Sequence, residues 1–168
     1  MRRTDPLSTF VTVGNATQPF DRLLRAVTAA ADILPKPIHV QHGVSSLSMP
    51  GCLCDPFLGM DEFEERMRSA TLVITHAGAG SLMHALDAGQ VPIVMPRESR
   101  HGEHVDDHQI ELAEALARGN RVIVIRSEAD LPDAIRRALK DRAAGRQQRT
   151  EPALVGMVRE RLEEYSKR

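Results

Sequence analysis

The sequence predicts an α/β fold, an open, doubly wound parallel sheet of Rossmann-like plan. Short apolar runs alternate with longer stretches whose apolar residues recur at helical spacing, which is the pattern of linked β–α units. The runs are nearly continuous in apolar residues, as in strands covered on both faces. Six such runs in 168 residues are too few for a closed eight-stranded barrel, so the sheet stays open.

Each element has a local reason. Phe10-Val-Thr-Val13 reads as the first strand and ends at Gly14. Phe20 to Leu34 carries Leu23, Leu24, Val27, Ala30, Ala31 and Leu34 at helical spacing, and Pro35 and Pro37 stop it. Ile38-His-Val40 opens a second strand. Cys52 to Leu58 is a weaker third, broken by Pro56. Met60 to Ala70 is helical, with Phe63 and Met67 four apart. Leu72-Val-Ile74 is the fourth strand, and a helix from Ser81 to Ala88 follows it, closed by Gly89 as a C-terminal glycine cap. Val91 to Met95 is the fifth strand. His108 to Arg118 is helical and closes at Gly119-Asn120. Arg121 to Ile125, rich in β-branched residues, is the sixth strand. A helix from Leu131 to Arg142 is entered through Ser127, an N-cap with acidic residues just behind it.

Residues 1–142 therefore make one sheet domain, and 143–151 a polar linker. Residues 152–168 carry Leu154, Met157, Val158, Leu162 and Tyr165 at helical spacing. That stripe predicts a terminal helix that docks either on its own domain or on a partner.

Composition narrows the function. Aromatics make up 3% of the chain and its formal net charge is -1, so neither a stacking platform nor a basic field is present for nucleic acid. Cys52 and Cys54 stand one residue apart with no second pair, which reads as reduced core cysteines and not as a disulfide or zinc site. No secretory apolar region follows Met1-Arg2-Arg3, and no apolar run approaches the ~20 residues that span a bilayer. The expectation is a cytoplasmic protein.

The segment Thr71 to Gly89 is the richest in chemistry. A strand runs into Gly78-Ala-Gly-Ser81, and the turn opens directly into a helix. Unpaired backbone N–H groups and the positive end of a helix dipole then meet at one point, which suits a phosphate. Ser81 is placed to cap the helix and to donate its hydroxyl to a phosphate oxygen, with His76 beside it. The architectural alternative is that the glycines serve only tight helix–sheet packing. Met83 stands where a dinucleotide fingerprint needs its third glycine, so a nicotinamide or flavin cofactor is disfavoured. No Gly-Lys-Ser/Thr follows, so a nucleoside-triphosphate loop is excluded.

Two other loops share that end of the sheet. Gly14-Asn15-Ala16-Thr17 follows the first strand. The stretch from Pro96 to Gln109 is long and dense in donors and acceptors, as binding loops are. Its His101, His104 and His108, with Glu103, are a candidate divalent-metal cluster, but Gly102 works against a rigid helix across all three. Asp107, His108 and Gln109 suit sugar hydroxyls, which want acceptors and donors in fixed directions.

Phe10-Val-Thr-Val-Gly-Asn15, Phe20-Asp-Arg-Leu-Leu24, Thr75-His-Ala-Gly-Ala-Gly-Ser81 and Gly102-Glu-His-Val-Asp-Asp-His-Gln109 occur in that order. On those motifs the chain resembles the carboxyl-terminal, donor-binding half of the family 28 GT-B glycosyltransferases, over roughly residues 8–140. Within the family it is similar to stand-alone small subunits of dolichol-pathway UDP-GlcNAc transferases and of bacterial exopolysaccharide glucuronosyltransferases. The resemblance implies that Gly78, Ala79, Gly80 and Ser81 hold the diphosphate of a UDP-sugar. His76 lies close to it, and Gly14 and Asn15 form the opposite wall. His108 and Gln109 face the donor sugar, with Glu103 and Asp107 in the same loop. His84 stands where many members carry a glutamate for the ribose, and Glu98 is the candidate substitute.

The resemblance also implies that the acceptor and the catalytic base belong to a second, membrane-associated subunit. That partner would recruit this chain to the inner face of the membrane. No cofactor and no obligatory metal are expected, because backbone dipoles stabilise the leaving UDP. Two other classes stay open. One is a nucleotide-sugar-binding or regulatory module without transferase activity, able to pair as a homodimer. The other is a self-sufficient sugar-nucleotide epimerase or hydrolase using Glu103, Asp107 or a histidine as base.

Overall fold

The computed structural model of the chain describes residues 7–146, 156, 159–164 and 167. Its strands are β1 (Thr9–Thr12), β2 (Ile38–Gln41), β3 (Leu53–Asp55), β4 (Leu72–His76), β5 (Ile93–Met95) and β6 (Ile123–Val124). They form one parallel sheet in the order β3-β2-β1-β4-β5-β6. Its helices are α1 (Asp21–Ala29), α2 (Met60–Ser69), α3 (Ala79–Asp87), α4 (His108–Arg118) and α5 (Leu131–Ala143). The predicted fold class holds.

Register explains the two-faced core. Phe10 pairs with Val73 and Val11 with Ile74, so neighbouring positions on adjacent strands point to the same face. Val11, Ile74 and Ile93 pack under α1 and α5 with Leu23, Leu24, Val27, Leu131 and Ile135. Phe10 and Val73 pack against Met67 and Ala85 of α2 and α3, and Val94 against Leu82, Leu112 and Leu116 of α3 and α4. Both faces are sealed, which is why the strands read as unbroken apolar runs.

Some boundaries differ from the sequence reading. The helix predicted from Phe20 to Leu34 ends at Ala29, and a 3-10 turn, Ala31–Ile33, carries the chain on. Pro35 forces the residue before it out of helical geometry, and Leu34 is extended at φ -81°, ψ 140°. The cysteines are not core residues. Cys54 is exposed and Cys52 half-buried, because β3 is an edge strand whose residues are all exposed. The Ser127 turn behaves as predicted, with the backbone N–H groups of Arg126 and Ser127 both donating to the Asp130 carboxylate at 2.9 Å.

Residues 159–164 are helical. Leu162 is buried in the cluster between α3 and α4, and Arg159 reaches Asp87 at 3.0 Å. This part of the tail therefore folds back on its own domain. Leu154, Met157, Val158 and Tyr165 lie outside the described residues, as do 147–151 of the linker, while Ala143 belongs to α5. Among the described residues no helix is long and apolar enough to cross a membrane.

Candidate functional site

β1 and β4 are neighbours in the sheet, but the chain leaves β1 towards β2 and leaves β4 towards β5. The loops beyond their carboxyl ends therefore part, and this switch point is where open parallel sheets bind ligands. A cleft of about 260 Å³ opens there. Of the residues singled out from sequence, Gly14, Asn15, His76, Gly78, Gly80, Ser81 and His84 line it. Ala79 is the first residue of α3 beside it.

α3 starts two residues earlier than the sequence reading placed it, with Gly78 as N-cap and no side-chain cap. Ser81 thus lies inside the first turn and does not cap the helix. Leu82 is the first residue to bond back, to the Gly78 carbonyl at 3.0 Å. The N–H groups of Ala79, Gly80 and Ser81 precede it and have no intrahelical acceptor. They sit at the positive end of the helix dipole, beside the cleft.

The glycines on either side also make room for a side chain. A β-carbon on Gly78 would lie 2.0 Å from Cε1 of His76, and one on Gly14 would lie 2.3 Å from its Nε2. Gly14 and Gly78 are therefore what admits the imidazole between the two loops. Gly14 also sits at φ +76°, where a side chain would be strained. A β-carbon on Gly80 would meet nothing within 4 Å, so Gly80 alone faces open cleft.

His76 is buried and held on both edges. Its Nε2 lies 3.1 Å from Oγ of Ser81, and its Nδ1 lies 3.3 Å from Nε2 of Gln109. Burial, and then the nearby Arg97 guanidinium, lower its pKa to about 3. The ring is neutral at physiological pH. The opposite wall is tied by Gln41, which accepts from Thr12 Oγ1 at 2.8 Å and donates to Asn15 Oδ1 at 3.3 Å. Phe63 closes the apolar side, edge-on to Phe10 and to His84, and His84 lies 3.6 Å from Glu64.

The long loop after β5 turns Arg97, Glu98 and Glu103 inward and leaves Ser99, Arg100, His101 and Asp107 exposed, which differs from the sequence reading. Glu98, Glu103, Asp107, His108 and Gln109 are absent from the lining of the cleft. The Glu103 carboxylate takes both Nε and Nη2 of Arg22 at 2.9 Å and the backbone N–H of Glu98 at 2.9 Å. Glu98 is buried against Arg100, with Arg22 at 3.9 Å, so it is not free to reach a ribose. Asp107 accepts from the backbone N–H and hydroxyl of Ser99, which hold its carboxyl below the usual range. Gln109 is buried, its Oε1 taking the backbone N–H of Ala77 at 3.2 Å and of Arg97 at 3.1 Å. His108 faces Asp106 and Glu111, and His104 also faces Asp106, while His101 sits by Glu98. Among the described residues no group of three or more His, Cys, Asp or Glu side chains is arranged to hold a metal ion.

The family model described as "Glycosyltransferase family 28 C-terminal domain" matches residues 8–157. The chain belongs to that family. A UDP-N-acetylglucosamine transferase subunit ALG13 from Yarrowia lipolytica is 36% identical over 86 residues, a match covering 51% of this chain and 38% of the relative. The human protein of the same name is 34% identical over 119 residues, covering 64% of this chain and 10% of its own length. The chain thus spans well under half of these curated relatives. Among solved structures, the calicheamicin glycosyltransferase CalG4 superposes with a TM-score of 0.66 at 18% identity, over 99% of this chain and 45% of its own. MurG from Acinetobacter baumannii gives 0.60 at 16%, over 99% and 51%. At that identity the structures speak for the fold alone, and the fold is that of one half of a GT-B glycosyltransferase.

Three further residues shape this cleft or the loops around it and carry no motif that sequence reasoning could use. Arg97 is fully buried, stacked 4.7 Å from the Phe20 ring. It donates to the carbonyls of Val13 at 2.7 Å, Gln18 at 3.0 Å and Glu103 at 3.0 Å, so one cation pins the loops on both sides of the cleft. Burial lowers its pKa to about 10, with Glu103 opposing, and it stays charged. Gln41 and Phe63 are the others. The only signal for Gln41 was a polar residue closing an apolar strand.

Proposed function

We propose that this chain is the UDP-sugar-binding subunit of a glycosyltransferase. The enzyme moves a hexose-type sugar, N-acetylglucosamine or glucuronic acid, to a lipid-linked acceptor. A membrane-associated acceptor-binding subunit completes the site, supplies the base, and brings this chain from the cytoplasm to the inner face of the membrane. The name carried by the curated relatives makes UDP-N-acetylglucosamine the first donor to try.

One observation carries the reading. In a glycosyltransferase family 28 domain, a cleft at the switch point is floored by the uncapped N-terminus of α3, with Gly80 facing open space and Ser81 beside it. Backbone donors fixed before the reaction stabilise negative charge as it grows on the leaving UDP, and they need no reorganisation. Ala79, Gly80 and Ser81 hold the diphosphate. Gly14 and Asn15 form the facing wall, and His84 lies on the ribose side. No metal and no cofactor enter this reading.

A thermal-shift panel of UDP-GlcNAc, UDP-glucuronate, UDP and NAD tests it. A ligand at 100 times its Kd stabilises the native state by about 2.7 kcal/mol, so the UDP-sugars raise the melting temperature and NAD does not. Equal stabilisation by NAD overturns the donor assignment. Transfer should appear only when a membrane fraction holding the partner is added, and turnover by the isolated chain overturns the subunit assignment.

A further inference from the structure

We propose that Gln109 is a positioning residue that, through His76, fixes Ser81 as a hydrogen-bond donor towards an anion in the cleft. The proposal rests on the diphosphate reading of the site and adds to it how the polarity of that site is set.

The argument runs from the most constrained group outward. Oε1 of Gln109 receives two backbone N–H groups, from Ala77 and Arg97. A backbone N–H can only donate, so the amide oxygen must face them and the amide cannot be flipped. Nε2 of Gln109 is then left facing Nδ1 of His76 at 3.3 Å. That nitrogen also can only donate, so Nδ1 must be the bare, accepting nitrogen of the ring. In a neutral imidazole the proton consequently resides on Nε2. Nε2–H points at Oγ of Ser81, 3.1 Å away, and the serine oxygen is the acceptor. Its own hydrogen is free to turn into the cleft that Ser81 lines.

Every group presented by the first turn of α3 then has the same sign. The backbone N–H groups offer hydrogens, and so does the Ser81 hydroxyl. In the opposite tautomer Nε2 would take the serine hydrogen, and the oxygen would turn its lone pairs towards the anion. Gly14 and Gly78 leave the space that the ring occupies, since a β-carbon on either would overlap it. A second proton on Nδ1 would meet the Gln109 N–H head-on, so the geometry excludes the imidazolium as well. Gln109 reaches the ligand only through this chain of bonds. Gln109, in the first turn of α4, is absent from the lining of the cleft and touches His76, which lines it.

Two measurements on the full chain test the proposal. The first needs no ligand and no variant: nitrogen-15 NMR of the His76 ring. The expected spectrum has a protonated Nε2 and a bare Nδ1, and a proton on Nδ1 overturns the proposal outright. The second is calorimetric titration with UDP-GlcNAc across the ordinary imidazole range, for the wild type and for Gln109→Glu. The carboxylate of the variant can only accept. Its second oxygen therefore draws the proton to Nδ1 and reverses the serine.

Affinity is compared as the ratio of wild type to variant at each pH, because His84 lines the same cleft in both. Gln109→Glu should bind about tenfold or more weakly at the alkaline end, the size of a lost hydrogen bond to a charged group. It should recover towards acid, where an imidazolium again supplies Nε2–H. Serine removed, by Ser81→Ala, should abolish the difference between the two. A pH-independent loss in Gln109→Glu, or no loss, overturns the relay. Failure of the wild type to bind UDP-GlcNAc, with the expected ring proton in place, instead overturns the diphosphate reading on which the relay's purpose depends.

Discussion

Two connections leave the carboxyl ends of neighbouring strands, and they treat their polar groups in opposite ways. The turn between β4 and α3 is short, glycine-rich and almost free of polar side chains, yet its backbone donors stay open to the cleft. The loop between β5 and α4 is long and crowded with carboxylates and histidines, yet Glu98, Glu103 and Asp107 are taken up by partners within the protein, as is Gln109 at the start of α4. A dense polar loop is therefore not in itself a binding loop. Buried polar groups must be satisfied, and Glu103 does that for Arg22 and for the backbone N–H of Glu98. The short turn leaves donors open because a helix start has more N–H groups than local acceptors.

The comparison can be broken in four places. The largest effect should be acid sensitivity centred on His76, which joins the two regions. Its folded pKa of about 3 lies below the ordinary 6.5, so the unfolded chain binds the extra proton first. The stabilisation is complete above the unfolded value and is lost as pH falls through the window between the two. The slope approaches about 1.4 kcal/mol per pH unit within that window. Urea unfolding at a series of pH values should show a shallower acid loss for His76→Gln, and parallel curves would refute the buried neutral ring.

Next, Glu103→Gln should cost about 2–3 kcal/mol, because Arg22 keeps its charge in a largely buried site without its partner. UDP-GlcNAc affinity should barely change. Lost affinity with unchanged stability would put this loop back in the binding site. Gly78→Ala should then cost about 1–3 kcal/mol, since the new methyl overlaps the His76 ring. Smallest in stability is Gly80→Ala, which meets nothing in the fold. Within a helix it should leave stability the same or raise it by up to about 1 kcal/mol. Its effect should appear in calorimetry with UDP-GlcNAc as weakened binding, and equal affinity for wild type and variant would remove the diphosphate from Gly80.

The sequence alone determined whatever is local along the chain. Apolar runs such as Leu72-Val-Ile74 declared buried parallel strands, and six of them declared an open sheet. Gly78-Ala-Gly-Ser81 after a strand declared a donor-rich helix start, because the orphan N–H groups follow from backbone geometry whatever surrounds them. Only the tertiary structure decided which way a polar side chain faces. Glu103 and Gln109 read as sugar contacts because their chemistry suits hydroxyls. Their orientation was settled by Arg22, 81 positions away along the chain, and by the N–H groups of Ala77 and Arg97. The same holds for Gly14 and Gly78, whose missing side chains make room for an imidazole that no local pattern places between them. Secondary structure is fixed by neighbours in sequence, whereas the pairing of buried donors and acceptors is fixed by neighbours in space.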